Sequence, residues 1–379
     1  MPAQITLFGR VLLVLLWTLF ALNGCTKKSS DGRQYAYAAT AMDGTVSMHE
    51  IDQKTGALTF LGSVKTQPGA SSILISPSGQ HAFVTNEQSN TISPFAINTK
   101  TGILTPTSAG PASTGFKPFS LIHPSGRFVY ALSGGSGDLS AFETSPALGI
   151  RNEIGGSPFH LAGMRGSYKA AFDSKGRFAY TSHLIQNEVK AFAVDEASGT
   201  WTMVEGSTYK TTDYPGIIAI HPSGHYVYVA TNSGIQGFGV EQASGKWTPF
   251  SKLALATPGA GHLLIDPTGK FVLIGTADGG IRVCQIDYFS GALRETSNAL
   301  PNPNPVSSMA LDSSGRFLYV TNMASYQIRG FQLSPSGILT PISGSPFLTT
   351  PEAPLYTKPP TYEYSSKHNT GIALTSRYH

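Results

Sequence analysis

Two cysteines in 379 residues cannot build a disulfide framework or a four-thiolate metal site. Charge is scarce too. Asp, Glu, Lys and Arg make up 13% of the chain, about half the usual ~25%, which excludes a coiled coil. The formal net charge of +4 is small for this length and gives no footing for nucleic acid or a strongly acidic partner. The longest apolar run, Val11 to Leu22, falls short of the ~20 residues that span a bilayer, so a multi-span membrane protein is excluded. No segment after Leu22 carries a convincing helical period. Turn formers are plentiful instead. Gly 41 and Pro 25 exceed the usual combined ~12% without reaching the level of a disordered chain. With 40% apolar residues, the chain can build a core for two average domains or one large repeat architecture.

The N-terminus is an address rather than part of a fold. Arg10 precedes the apolar run, which ends in Leu22-Asn23-Gly24-Cys25. That ending resembles the bacterial lipobox, in which a small residue precedes a Cys that is lipidated and becomes the new N-terminus. The resemblance implies a lipoprotein signal peptide over 1–24, a polar tether over 25–33 and a lipid on Cys25 that attaches the protein to a membrane. Thr26 stands where an Asp would resemble an inner-membrane retention signal. The expected location is therefore the bacterial cell envelope, at the outer membrane.

The rest of the chain repeats seven times. A tight turn followed by an aromatic strand recurs, as in Pro124-Ser125-Gly126 then Phe128-Val129-Tyr130, and Pro222-Ser223-Gly224 then Tyr226-Val227-Tyr228. Its glycines are Gly79, Gly126, Gly176, Gly224, Gly269 and Gly315, and Tyr35-Ala36-Tyr37 is a seventh copy of the strand. A second marker keeps the same period: Gly56, Gly102, Gly149, Gly199, Gly245, Gly291 and Gly337. Each repeat reads as four short strands, the length of a propeller blade. The first is apolar throughout, as in Ile217-Ile218-Ala219-Ile220, and is expected to be covered on both faces. The first repeat lacks that strand, and Thr370-Gly371-Ile372-Ala373-Leu374-Thr375-Ser376 is expected to supply it. The prediction is an all-β, seven-bladed β-propeller over 34–376, its first blade closed by the C-terminal strand.

The motif of turn, Arg-Phe-Val-Tyr strand and Thr-Gly-x-Leu-Thr hairpin resembles the lactonase-type seven-bladed propellers, among them bacterial 6-phosphogluconolactonases. Tyr319-Val320-Thr321-Asn322 equally resembles the surface repeats named after that tetrapeptide. The resemblance implies a site in which an inner-strand Arg-His pair and a Glu bind substrate and activate water. His262 matches the family His. Gly261 stands in place of the Arg, Ala277 in place of the Glu, and Met323 in place of a further basic residue. An Asn-Glu pair, Asn86-Glu87, lies on another blade.

Other chemistry finds no motif: no Gly-x-Ser-x-Gly, His-Glu-x-x-His or Cys-x-x-Cys is present. No metal or cofactor is expected. Cys284 shares a slot with Phe142, Phe192 and Phe238 and reads as a core thiol. His123 and His221 share a slot with Asp173, Asp266 and Asp312, which points to hydrogen bonding at the turn. The starts of inner strands and the loops after the aromatic strands should gather at one mouth. There they would place Glu87, Lys117, Asp138, Arg165, Tyr168, Lys169, His183, Asp213, Tyr214, Asn232, His262 and Asp278. The loop from Pro351 to Asn369 should hang over that mouth. Two functions follow. The leading one is a scaffold that binds a small polar ligand or an unidentified protein through this face, because the family's Arg and Glu are missing. The alternative is a lactone hydrolase with His262 as base.

Overall fold

The computed structural model describes residues 32–160, 167–250, 255–257, 259–277, 280–296, 300, 305–322, 326–350 and 371–374. It forms seven antiparallel sheets, each built around four strands in meander order. Blade 1 pairs Gln34–Thr40, Thr45–Ile51 and Leu58–Lys65 with Ile372–Leu374 as its inner strand. Tyr37 faces Ala373 in that pairing. The inner strands of blades 2 to 7 are Ala70–Ile75, Pro118–Ile122, Ser167–Phe172, Pro215–Ile220, Ala260–Ile265 and Val306–Leu311. No described residue is helical. The seven-bladed propeller is thus the observed fold, with its first blade completed by the C-terminal strand.

Seven apolar clusters fill the seven gaps between neighbouring blades. The second strands are the most deeply buried, as in Phe128–Ser133 and Phe271–Thr276, where every residue is buried. The inner strands differ from expectation. Ala70–Ile75 and Ala260–Ile265 each have half-buried positions. They are edge strands whose free side borders the central channel, so their apolar sequence reflects packing against adjacent blades rather than full enclosure.

The two repeating markers prove to be halves of one inter-blade joint. Gly102 has φ +73°. A Cβ there would lie 2.3 Å from the ring of Tyr35 on the preceding blade, so only glycine fits both the backbone and the contact. Gly56 meets Phe317 in the same way at 2.5 Å, joining blade 7 to blade 1. Tyrosine hydroxyls reinforce the joint. Tyr37 donates to the Gly102 carbonyl at 3.0 Å, Tyr130 to Gly199 at 2.9 Å, Tyr228 to Gly291 at 2.7 Å and Tyr319 to Gly56 at 2.7 Å. The basic residue of the turn adds a third tie. Arg127, Arg177 and Arg316 donate to the carbonyls of Glu196, Gln242 and Gln53 on the next blade.

The shared slot at the turn behaves as its residue types require. Asp173, Asp266 and Asp312 accept from the backbone N–H groups of Phe178, Phe271 and Phe317 within their own blades. His123 and His221 accept at Nδ1 from Ser125 and Ser223 N–H. Their Nε2 atoms, each 2.9 Å from Gly176 and Gly269 O of the next blade, then carry the donating proton. Cys284 is fully buried in the cluster between blades 5 and 6, and burial pushes its thiol up to about 12.

Candidate functional site

The channel opens on the face opposite these turns into a cavity of about 730 Å³, to which every blade contributes. The local structure that aims side chains into it is a register shift near the start of an inner strand. It falls between Ala70 and Ser72, Ser167 and Lys169, Pro215 and Ile218, Ala260 and His262, and Val306 and Ser308. Such bulges re-aim a strand where a site is built. Ser72, Phe119, Lys169, Ile217, His262 and Ser308 each stand four residues before their blade's turn residue, and all line the cavity. They are one slot read six times with different chemistry.

Three ionisable groups from alternate blades line this cavity. Lys169 comes from blade 4, Glu87 from the loop of blade 2 and His262 from blade 6. Desolvation lowers the Lys169 ammonium to about 8, against the pull of the Glu87 carboxylate, which favours the charged form. Its Nζ lies 4.4 Å from the centre of the Phe119 ring. Desolvation, and then the Lys169 charge, lower His262 to about 4. At neutral pH the site therefore holds a neutral imidazole and an ammonium ion. A neutral imidazole can take a proton, and an ammonium in a sheltered channel can stabilise a developing oxyanion.

The structure places the expected mouth residues unevenly. Glu87, Lys117, Lys169, Tyr214, Asn232 and His262 line the cavity. Lys117 has φ +53° and is anchored by its N–H to Asn90 Oδ1 at 2.9 Å. His183 is fully buried at the end of a second strand, with Nε2 2.7 Å from Thr181 Oγ1. It occupies the slot of Asn86 and Thr231, which are also buried; the second strand is buried along its whole length, and the residue after it reaches the mouth. Asp138 pairs with His160 rather than entering the cavity. The Asp213 carbonyl accepts from Thr211 Oγ1 at 2.7 Å. Tyr168 lies on the inner strand of blade 4, its side chain outside the described set. Arg165, Asp278, Met323, Cys25 and the 351–369 loop lie outside the described residues. Among the described residues no group of three His, Cys, Asp or Glu side chains gathers to hold a metal. No described helix is long and apolar enough to cross a membrane.

Sequence reasoning missed Ser72, Phe119, Ile217 and Ser308, and the lining pair Leu184 and Ile185. Counting back four residues from each turn would have found the first four.

Comparison with known proteins bears on this site. The profile of the family described as "Lactonase, 7-bladed beta-propeller" matches residues 27–155 and 122–310. No curated protein matches the sequence. Among solved structures, a candidate 6-phosphogluconolactonase from Bacteroides fragilis is 14% identical, with a TM-score of 0.72 over 92% of this chain and 99% of its own. A Lactobacillus plantarum protein is 14% identical, with a TM-score of 0.70 over 90% and 99%. The periplasmic gluconolactonase of Pseudomonas aeruginosa is 18% identical, with a TM-score of 0.69 over 83% and 97%. At these identities the likeness is one of fold.

Proposed function

The chain belongs to the family of seven-bladed lactonase propellers, and on that premise we propose that it hydrolyses lactones in its central channel. The observation that carries this reading is that Glu87, Lys169 and His262, from three different blades, line one cavity. The scaffold reading rests on a missing Arg and Glu beside His262 and on the expected envelope location. Lys169 and Glu87 offer the same two charges from other blades.

The chemistry follows from the charge states. A water oxygen adds to the lactone carbonyl carbon as neutral His262 takes its proton. The Lys169 ammonium stabilises the oxyanion. Collapse breaks the ring C–O bond, and His262 returns the proton to the departing alkoxide oxygen. The product is a hydroxy acid, whose new carboxyl group then releases its proton to solvent. Glu87 keeps Lys169 charged against the cost of burial, which is the state that the oxyanion needs.

The test is hydrolysis of δ-valerolactone and glucono-δ-lactone by purified protein, followed as acid release. His262→Ala should lower kcat/KM by about 10²-fold or more, with little change in melting temperature because the side chain belongs to the channel and not to an inter-blade cluster. Turnover no faster than buffer, or turnover indifferent to His262→Ala, would return the protein to the scaffold reading.

The lipobox motivates a companion proposal of location: a lipid on Cys25 holds the propeller in the bacterial cell envelope. Cys25→Ser should move the protein from the membrane fraction to the soluble fraction. Equal membrane association of both forms would reject it.

A further inference from the structure

The cavity is polarised around its circumference. On blades 2 and 7 it is walled by hydroxyl groups: Ser71 and Ser72 on one, Ser307 and Ser308 on the other. On blades 3, 4 and 5 apolar side chains join the lining beside Lys117 and Asn232, with Phe119 and Ile217 on the inner strands flanking Lys169. The loop after the second strand of blade 4 puts Leu184 and Ile185 on the lining, where blade 2 puts Glu87 and blade 5 Asn232. These apolar side chains are not hidden. Ile185 is 74% exposed and Tyr214 on blade 5 is 52% exposed. Phe116, at the start of blade 3, is 57% exposed, and it stands against Gly135 of the lining, where an added Cβ would lie 2.7 Å from its ring. Scattered surface hydrophobes are ordinary, but apolar side chains gathered on three adjacent blades around one cavity mark a binding surface. The volume of about 730 Å³ is that of a site for a drug-sized ligand and exceeds what a bare lactone ring fills.

Building on the lactonase reading, we infer that the substrate is a lactone carrying an alkyl or aryl substituent, rather than a polyhydroxylated or phosphorylated sugar lactone. The ring sits between Lys169 and His262, and its substituent runs along Phe119, Ile217, Leu184 and Ile185. Each methylene covered by this wall adds about 0.8 kcal/mol, or roughly fourfold in affinity. A sugar's hydroxyl groups would meet hydrocarbon there and lose hydrogen bonds to water without replacement.

The experiment compares kcat/KM for δ-valerolactone, δ-decalactone, glucono-δ-lactone and its 6-phosphate. Calorimetry on the intact protein measures binding of 5-hydroxydecanoate and gluconate in parallel. The expected result is a rate constant that climbs with substituent length by roughly fourfold per covered methylene. Ile185→Ser and Leu184→Ser should narrow the ratio of decalactone to valerolactone. Turnover that favours glucono-δ-lactone or its phosphate, or that ignores chain length, overturns the inference while leaving the hydrolase reading intact. If no lactone turns over but 5-hydroxydecanoate binds more tightly than gluconate, the hydrolase reading falls and the apolar ligand stands. If neither acid binds and nothing turns over, both fall.

Discussion

The two faces of the ring follow opposite rules. On the turn face, one slot does closely related work in blades 3 to 7: His123 and His221 bridge to the next blade with matching 2.9 Å contacts, and Asp173, Asp266 and Asp312 hold their own turns. On the mouth face, the slot four residues earlier holds Ser72, Phe119, Lys169, Ile217, His262 and Ser308. The backbone there is as regular as at the turns, yet the chemistry changes from blade to blade. A ring needs seven similar joints to close, so repetition marks support. A ligand needs one asymmetric surface, so the positions that stop repeating mark the site.

This contrast can be broken most severely at the joint between blades 7 and 1. Removing residues 371–379 would strip blade 1 of its inner strand and open the edge of Gln34–Thr40, where every residue is buried. The expected outcome is aggregation, or a melting temperature lowered by more than 10 °C on the order expected for losing several kcal/mol of core. A truncated protein that melts like the full chain would show the strand to be dispensable. At the mouth, Lys169→Met should leave folding intact and lower kcat/KM by about 10²-fold, the scale of a lost oxyanion donor. The pH profile sharpens this. In the parent protein, activity should fall as pH drops through about 4, where His262 gains a proton, and as pH rises through about 8, where Lys169 loses one. In Lys169→Met the alkaline limb should vanish. The acid limb should move upward, because the charge that opposed His262 protonation is gone. An unchanged profile would remove Lys169 from the site. The smallest effect belongs to the joints. Tyr130→Phe removes the donor to Gly199 O and should cost about 1 kcal/mol in a denaturant titration, with lactone turnover unaffected. A loss of activity without a loss of stability would contradict the division of labour between the faces.

The joints were the legible part of the sequence. Gly102 must be glycine because Tyr35 occupies the space of a side chain, so the marker survives in every repeat and can be counted. The site was legible only in part. His262 stood out by resemblance, and Glu87 and Lys169 were placed at the mouth one by one. Their convergence was hidden because they lie on blades 2, 4 and 6, and only the closed ring brings them to one channel. His183 shows the limit of sequence placement. It looks like a mouth residue by position, but it ends a second strand that is buried along its whole length.

The closing strand also sets a clock. In blade 4 the inner strand meets its neighbour through a nearby turn, as where Lys169 faces Ser182. In blade 1, Tyr37 must wait for Ala373. That separation is larger by roughly five doublings of loop length, an added closure entropy of about 3 kcal/mol that no single hairpin repays. The blades can therefore form early as local meanders, while the ring as a whole becomes cooperative only when its most distant pairing is made. The channel and its three ionisable groups come together only after that last, slow contact.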